Sequence, residues 1–198
     1  MNLFIKTTID RDLDWPDFLH VHVGAYKSDQ SKKMSGGKAS LSGFVINLPG
    51  SAWIDSVNFD FFDSYGVDAE AAHLVLSYDT SKISAALSIK LNELKNFEKV
   101  TYLVSVKVKS KYRGNRLALR LMRELSYIFK GSKALFILKA NPIKKDASGD
   151  ECRALAEYYL SDPALSYTPI DSVQLPGWLV GTSTLEIERT NDRSYVEV

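Results

Sequence analysis

A single cysteine, Cys152, stands in the 198 residues, which excludes an intrachain disulfide and leaves no thiolate cluster to hold a structural zinc. So little cysteine fits a reducing compartment, and a cytoplasmic location is the expectation. Histidine is nearly as scarce, at three residues. His20 and His22 share one face of a short segment, but no third ligand is identifiable, so they read as packing or surface groups and no metal is expected. Charge of one sign is also lacking: 25 Lys and Arg stand against 24 Asp and Glu, which gives no overall bias toward nucleic acid or an anionic surface. No apolar run reaches membrane length, and Met1 to Asp12 alternates charged and apolar residues where a signal peptide would be continuous. With 45% hydrophobic residues the chain can bury one sizeable core, so a soluble, unprocessed single domain over residues 1–198 is expected.

What is present is a change of hydrophobic period along the chain. Leu3 to Ile9 and Phe18 to Val23 are short apolar segments either side of a turn, and Ser28 to Ser42, rich in Ser, Lys and Gly, reads as an exposed loop. Within it, Gly36-Gly37-Lys38-Ala39 is no phosphate-binding P-loop, since Ala39 stands where Ser or Thr is needed. Phe44 to Leu48 reads as a strand, and His73 to Tyr78 with Ile83 to Leu91 reads as a hairpin. Val100 to Val108 is the best strand, with Val100, Tyr102, Val104, Val106 and Val108 at period two. From Asn115 to Lys130 the period becomes helical, with Leu117, Leu121, Leu125 and Ile128 in one stripe and Gly131 as a stop. Ala134 to Leu138 is a further strand, Ser148-Gly149-Asp150 opens a helix over Glu151 to Leu160, and Trp178 to Ile187 is a closing strand broken by Gly181. Strand, helix, strand and helix with short connections imply a parallel pair joined by a crossover. The fold class is therefore α/β (α+β): a mixed, largely antiparallel sheet flanked by helices, with a central parallel strand pair.

Charge concentrates where that strand gives way to the helix. Lys107, Lys109, Lys111, Arg113, Arg116, Arg120 and Arg123 precede the first acid, Glu124. A strand feeding into a helix start exposes unpaired N–H groups at the positive end of the helix dipole, and Gly114 lets a ligand approach the main chain. An anionic ligand is expected here, although a basic turn beside a solvated helix face is also common. The run Arg113-Gly114-Asn115-Arg116-Leu117-Ala118 resembles the cofactor segment of the GNAT superfamily of acetyl-coenzyme A dependent N-acetyltransferases, which reads approximately Arg/Gln-x-x-Gly-x-Gly/Ala. Arg116 departs from it, standing where glycine is usual. The resemblance implies that main-chain N–H groups from Gly114 to Ala118, through Asn115, Arg116 and Leu117, bind the coenzyme A pyrophosphate beside Arg113, and that Val106, Lys107 and Val108 flank the pantetheine arm. It also implies an acetyltransferase fold, with acetyl-CoA and an amine acceptor as partners.

In that family a tyrosine on the helix after the second parallel strand protonates the departing thiolate. Leu155-Ala156-Glu157-Tyr158-Tyr159 resembles the corresponding pattern, with Tyr159 as the matching residue, although paired tyrosines on such a helix are often packing residues. Amides near Val106 or Val108 would serve the oxyanion if a bulge splays their strand. Glu70, His73 and Asp79 are the candidate bases, each reading equally as a surface group. Cys152 reads as an ordinary helix residue. The function expected is direct transfer of an acetyl group from acetyl-CoA to a primary amine of a small molecule or protein. The alternative is a non-catalytic acyl-CoA-binding or sensor module of the same fold; a nucleic-acid contact ranks last, since few aromatics interleave with the cations.

Overall fold

Alternating apolar residues build the sheet from the N-terminus. The computed structural model describes residues 3–13, 18–27, 37–47, 99–132, 134–142, 146–169 and 177–182. Strands β1 (Leu3–Arg11), β2 (Phe18–Lys27), β3 (Ala39–Asn47) and β4 (Lys99–Val108) pair antiparallel in sequence order. Helix α1 (Leu117–Ile128) then leads to β5 (Ala134–Lys139), which lies parallel to β4. Helix α2 (Gly149–Leu160), the two-residue β6 (Thr168–Pro169) and β7 (Trp178–Thr182) follow. The seven strands form one mixed sheet in the order β1-β2-β3-β4-β5-β7-β6, mostly antiparallel, with the parallel pair near its centre. Among the described residues no helix is long and apolar enough to cross a membrane.

Period two places Ile5, Val21, Val23, Leu41, Val45, Leu103, Phe136 and Leu179 in one cluster with the stripe of α1. Leu121 and Leu125 of that stripe are fully buried, and each such leucine contributes about 1.5–3 kcal/mol to folding. Helix α2 is more exposed and packs on this cluster through Tyr159, its one buried residue, and the partly buried Leu155, Ala156 and Tyr158. Its start is fixed by a capping box, in which the Glu151 main-chain N–H donates to Ser148 Oγ while the Ser148 N–H donates to the Glu151 carboxylate.

Several expectations need correction. Ala39 to Ser42 belong to β3 and not to a loop, because both edges of this segment are paired and Ala39 and Leu41 point into the core, at 4% and 0% exposure. The remainder of that loop before residue 37, the hairpin at His73 to Tyr78 and Ile83 to Leu91, and the candidate bases Glu70, His73 and Asp79 lie outside the described residues. Gly181 does not break β7. It continues the strand, and the Tyr167 ring occupies the space a Cβ would need, 2.7 Å from the nearest ring carbon. Helix α1 starts at Leu117 instead of Asn115, because Gly114 and Arg116 take positive φ angles of 81° and 54°.

The irregularity that shapes the site is in the β3–β4 ladder. Ser42 pairs with Ser105 but Gly43 pairs with Leu103, so Val104 is an extra residue on β4 and the strand bulges there. Gly43 sits against the main chain at the bulge: a Cβ on it would lie 2.3 Å from the Tyr102 carbonyl oxygen. A carbonyl fixed between two strands cannot retreat as a flexible side chain can. Gly43→Ala is therefore expected to lower unfolding free energy by about 2–3 kcal/mol, measured as a reduced urea midpoint at unchanged m-value.

Candidate functional site

Beyond the bulge, β4 and β5 part. Their parallel register runs from Lys99 with Ala134 to Leu103 with Leu138 and ends there, while β4 continues to Val108. A cavity of about 780 Å³ fills the gap, lined by Leu103 to Val108 on one side and by Leu138, Lys139, Asn141 and Pro142 on the other. Glu151, Leu155, Tyr158 and Tyr159 of α2 line it as well, and Tyr112, Arg113, Gly114, Arg116, Leu117 and Ala118 complete it. Of the residues expected to bind cofactor, Val106, Lys107, Val108, Arg113, Gly114, Arg116, Leu117 and Ala118 all line this one space; Asn115 does not.

Asn115 braces the turn instead. Its side-chain N–H group donates to the carbonyls of Tyr112 and Arg113, at 3.1 and 3.4 Å. Further bonds inside the turn run from the Tyr112 N–H to Lys109 O and from the Arg113 N–H to Ser110 O. The whole turn is pinned to the start of β3 by the Lys109 N–H, which donates to the Lys38 carbonyl at 3.0 Å. The Lys38 and Lys111 ammonium groups each lie 5.1 Å from the Tyr112 ring centroid. Lys38, hydrogen-bonded to the Tyr112 hydroxyl, holds that phenol below the ordinary tyrosine value against the opposing effect of desolvation, and Lys111 adds to the lowering.

Residues Arg113 to Arg116 are exposed, and among the described residues no main-chain carbonyl accepts from the N–H groups of Gly114 to Ala118. Helix α1 also has no side-chain cap and no acid in its first turn. Main-chain amides without a carbonyl acceptor among the described residues thus lie at a helix start beside the cavity, Gly114 to Arg116 exposed and Leu117 and Ala118 buried. Lys107, Arg113, Arg116 and Lys139 make the lining cationic, and among the described residues its only carboxylate, Glu151, is engaged in the α2 cap. Such a space suits an extended ligand with an anionic end and an apolar arm.

Not all of the basic cluster faces a ligand. Arg123 donates from both Nε and an Nη to Asp162, at 2.7 Å each, and the Asp162 side chain is fully buried. Asp162 also accepts from the Ala164 N–H, so this arginine supports the turn after α2. The Arg116 guanidinium reaches Ser161 Oγ at 3.4 Å, linking the starts and ends of the two helices.

The tyrosine pair differs in environment. Tyr159 is 6% exposed, and burial pushes its phenol up to about 12, with Tyr158 beside it adding to the rise. Tyr158 is half-buried, its ring centroid 5.6 Å from that of Tyr159. Burial raises it too, opposed by a hydrogen bond from the Leu119 main-chain N–H to its hydroxyl oxygen. Both phenols thus keep their protons at neutral pH.

A second, smaller space of about 260 Å³ opens on the other side of the bulge, lined by Asp10, His20, Val21, His22, Ser42, Gly43, Phe44 and Val104. Sequence reasoning missed it, because its residues come from four different strands. Among the described residues no group of three His, Cys, Asp or Glu side chains could hold a metal ion. No family model matches this chain, and no curated protein or solved structure matches it.

Two outcomes are expected from these local observations. Arg116→Gly removes a left-handed penalty of about 1–2 kcal/mol but adds unfolded-chain entropy of about 0.5–1 kcal/mol, so the urea midpoint should rise by an amount equivalent to roughly 0.5–1 kcal/mol. For Tyr159, the folded-state pKa lies above the unfolded one, so its contribution is complete below pH 10.0 and is lost as pH rises toward about 12. Unfolding free energy should fall across that interval, and Tyr159→Phe should flatten the fall by about 2 kcal/mol, read from denaturant titrations at successive pH values.

Proposed function

We propose that the chain is an acetyl-coenzyme A dependent N-acetyltransferase of the GNAT type, moving an acetyl group to a primary amine by direct transfer. One observation carries the reading: β4 and β5 pair only as far as Leu103 and Leu138, and the gap beyond them is continuous with the open amides from Gly114 to Ala118. A cofactor with a diphosphate at one end and a thioester at the other matches that combination. The diphosphate would take the amides and the cations Arg113 and Arg116, while the arm would lie along the parted half of β4, past Val106 to Val108. Alternate residues of this half direct their N–H and C=O groups away from β3, toward the gap, where they can hold the amides of the arm and the acyl oxygen. A positive φ at Arg116, in the motif position where glycine is usual, is the main-chain shape such a segment requires, adopted here at a cost.

In transfer, the amine nitrogen bonds to the acyl carbon as the carbon–sulfur bond breaks, and the leaving thiolate takes a proton. Tyr159 is the match by sequence pattern, and its buried phenol stays protonated. Tyr158 lines the same cavity and is half-buried where Tyr159 is buried, which supports it as the proton donor of the pair. The reading places the protein in the cytoplasm, where acetyl-CoA is available.

Calorimetric titration with acetyl-CoA should show binding near one ligand per chain, weakened by salt, and release of free thiol should follow when an acceptor amine is added. Tyr158→Phe should lower kcat by about 100-fold with little change in KM for acetyl-CoA, while Tyr159→Phe changes kcat by less than about threefold. Absence of binding at millimolar acetyl-CoA would reject the proposal, and binding without turnover would leave a sensor module.

A further inference from the structure

The smaller cavity is lined by a histidine, His20, that is hydrogen-bonded to a buried carboxylate, Asp12. His20 and His22 project from one face of β2, and their cross-strand partners put Asp10 on one side and Ser42 and Phe44 on the other. Asp12, just past the end of β1, returns to His20: its Oδ2 lies 2.6 Å from His20 Nε2, with the carboxylate side chain 4% exposed and the imidazole 39% exposed. The turn holding Asp12 is itself fixed, since the Asp12 N–H donates to Phe18 O at 3.0 Å. The imidazole also meets the Phe44 ring edge to face, at 4.9 Å between centroids. An ionised carboxylate can only accept, so Asp12 takes the hydrogen bond from Nε2 and orients the imidazole.

What gives this pair a role is Val104. The bulge residue lines both cavities, so an acyl group presented at the bulge from the larger space is approached from the smaller one. An amine arrives at neutral pH as an ammonium ion, which cannot attack. Asp10 and Asp12 place carboxylates on this side of the sheet, opposite in sign to the cations around the larger cavity.

We propose that the smaller cavity seats the acceptor amine and that His20, oriented by Asp12, is the general base that removes its proton. The inference rests on the acetyltransferase reading. His20 takes one proton from the ammonium and passes it to solvent; the amine lone pair then forms the carbon–nitrogen bond as the carbon–sulfur bond breaks. The second proton lost from nitrogen balances the one gained by the thiolate. Asp12 is a positioning residue. Among the described lining residues the other titratable groups are Asp10 from β1 and His22 from β2; those of β3 and β4, which are Ser42, Gly43, Phe44 and Val104, carry no charge.

Two probe amines separate the base from the rest of the site. Propylamine holds its proton to about pH 10, as lysine does, and needs a base; methoxyamine is unprotonated at neutral pH and does not. His20→Gln is expected to lower kcat/KM for propylamine about 100-fold while leaving methoxyamine within about threefold and acetyl-CoA affinity by calorimetry unchanged. Asp12→Asn, which keeps the imidazole but loses the carboxylate that orients it, should lower kcat/KM for propylamine by a smaller factor and again spare methoxyamine, with thermal unfolding checked for both variants. Equal loss with both amines, or none with either, would overturn the role of His20. Acetyl-CoA binding by the wild-type chain without transfer to either amine would overturn it too, and leave the cofactor site standing. No acetyl-CoA binding at all would remove the cofactor reading first, and this inference with it.

Discussion

Two residues of β4 opposite one of β3 is the constraint on which the site depends. With Val104 inserted, the strand bends between Leu103 and Ser105, and the edge that had been pairing with β5 turns away from it. Gly43 allows the bend because the Tyr102 carbonyl occupies the place its side chain would fill. The ladder to β5 stops at the bulge, one residue short of the end of β5 at Lys139, and β4 runs on to Val108 along the cavity instead of along a parallel neighbour. The opening is therefore made by the main chain itself, and the side chains around it adjust its polarity.

That polarity results from where the basic residues are tied. Arg123 is committed to a buried carboxylate, and Lys38 and Lys111 bracket Tyr112. These contacts fix the turn and the end of α2 on either side of the cavity, while Arg113, Arg116, Lys107 and Lys139 lie along its lining. The turn keeps its shape through Asn115 and through the bond from Lys109 to Lys38, without drawing on the amides of Gly114 to Ala118. A protein of nearly balanced charge can in this way present one strongly cationic hollow.

Elements with a strong period were legible. In β4 and α1 the valines at every second position and the leucine stripe exceed any competing signal, and both appear within two residues of their expected bounds. The second half of β3 was legible from Phe44 on, but its first half, Ala39 to Ser42, was hidden because Ser, Gly and Lys are loop formers by composition, although Ala39, Leu41 and Val45 alternate correctly. The capping box at Ser148 and Glu151 was present as a Ser-x-x-Glu spacing and could have set the start of α2. The bulge had no such mark: a lone glycine in a strand is compatible with a bend, a close approach or neither. The pairing of His20 with Asp12 could not be read either, since their contact exists only through the β1–β2 register and the return of the turn onto Phe18.

Charge separation across the sheet bears on the proposed chemistry. A thioester donor carries its negative charge on a diphosphate, and an amine acceptor arrives positive. If both came from the same side, their binding groups would have to be interleaved, and each ligand would meet charges of its own sign. Here the cations line one space and the carboxylates Asp10 and Asp12 belong to the other, with the uncharged Val104 between them. Val104, the bulge residue, lines both spaces, so on the proposed reading a single irregularity in the sheet would set both the path of a cofactor and the direction from which an amine reaches its acyl carbon.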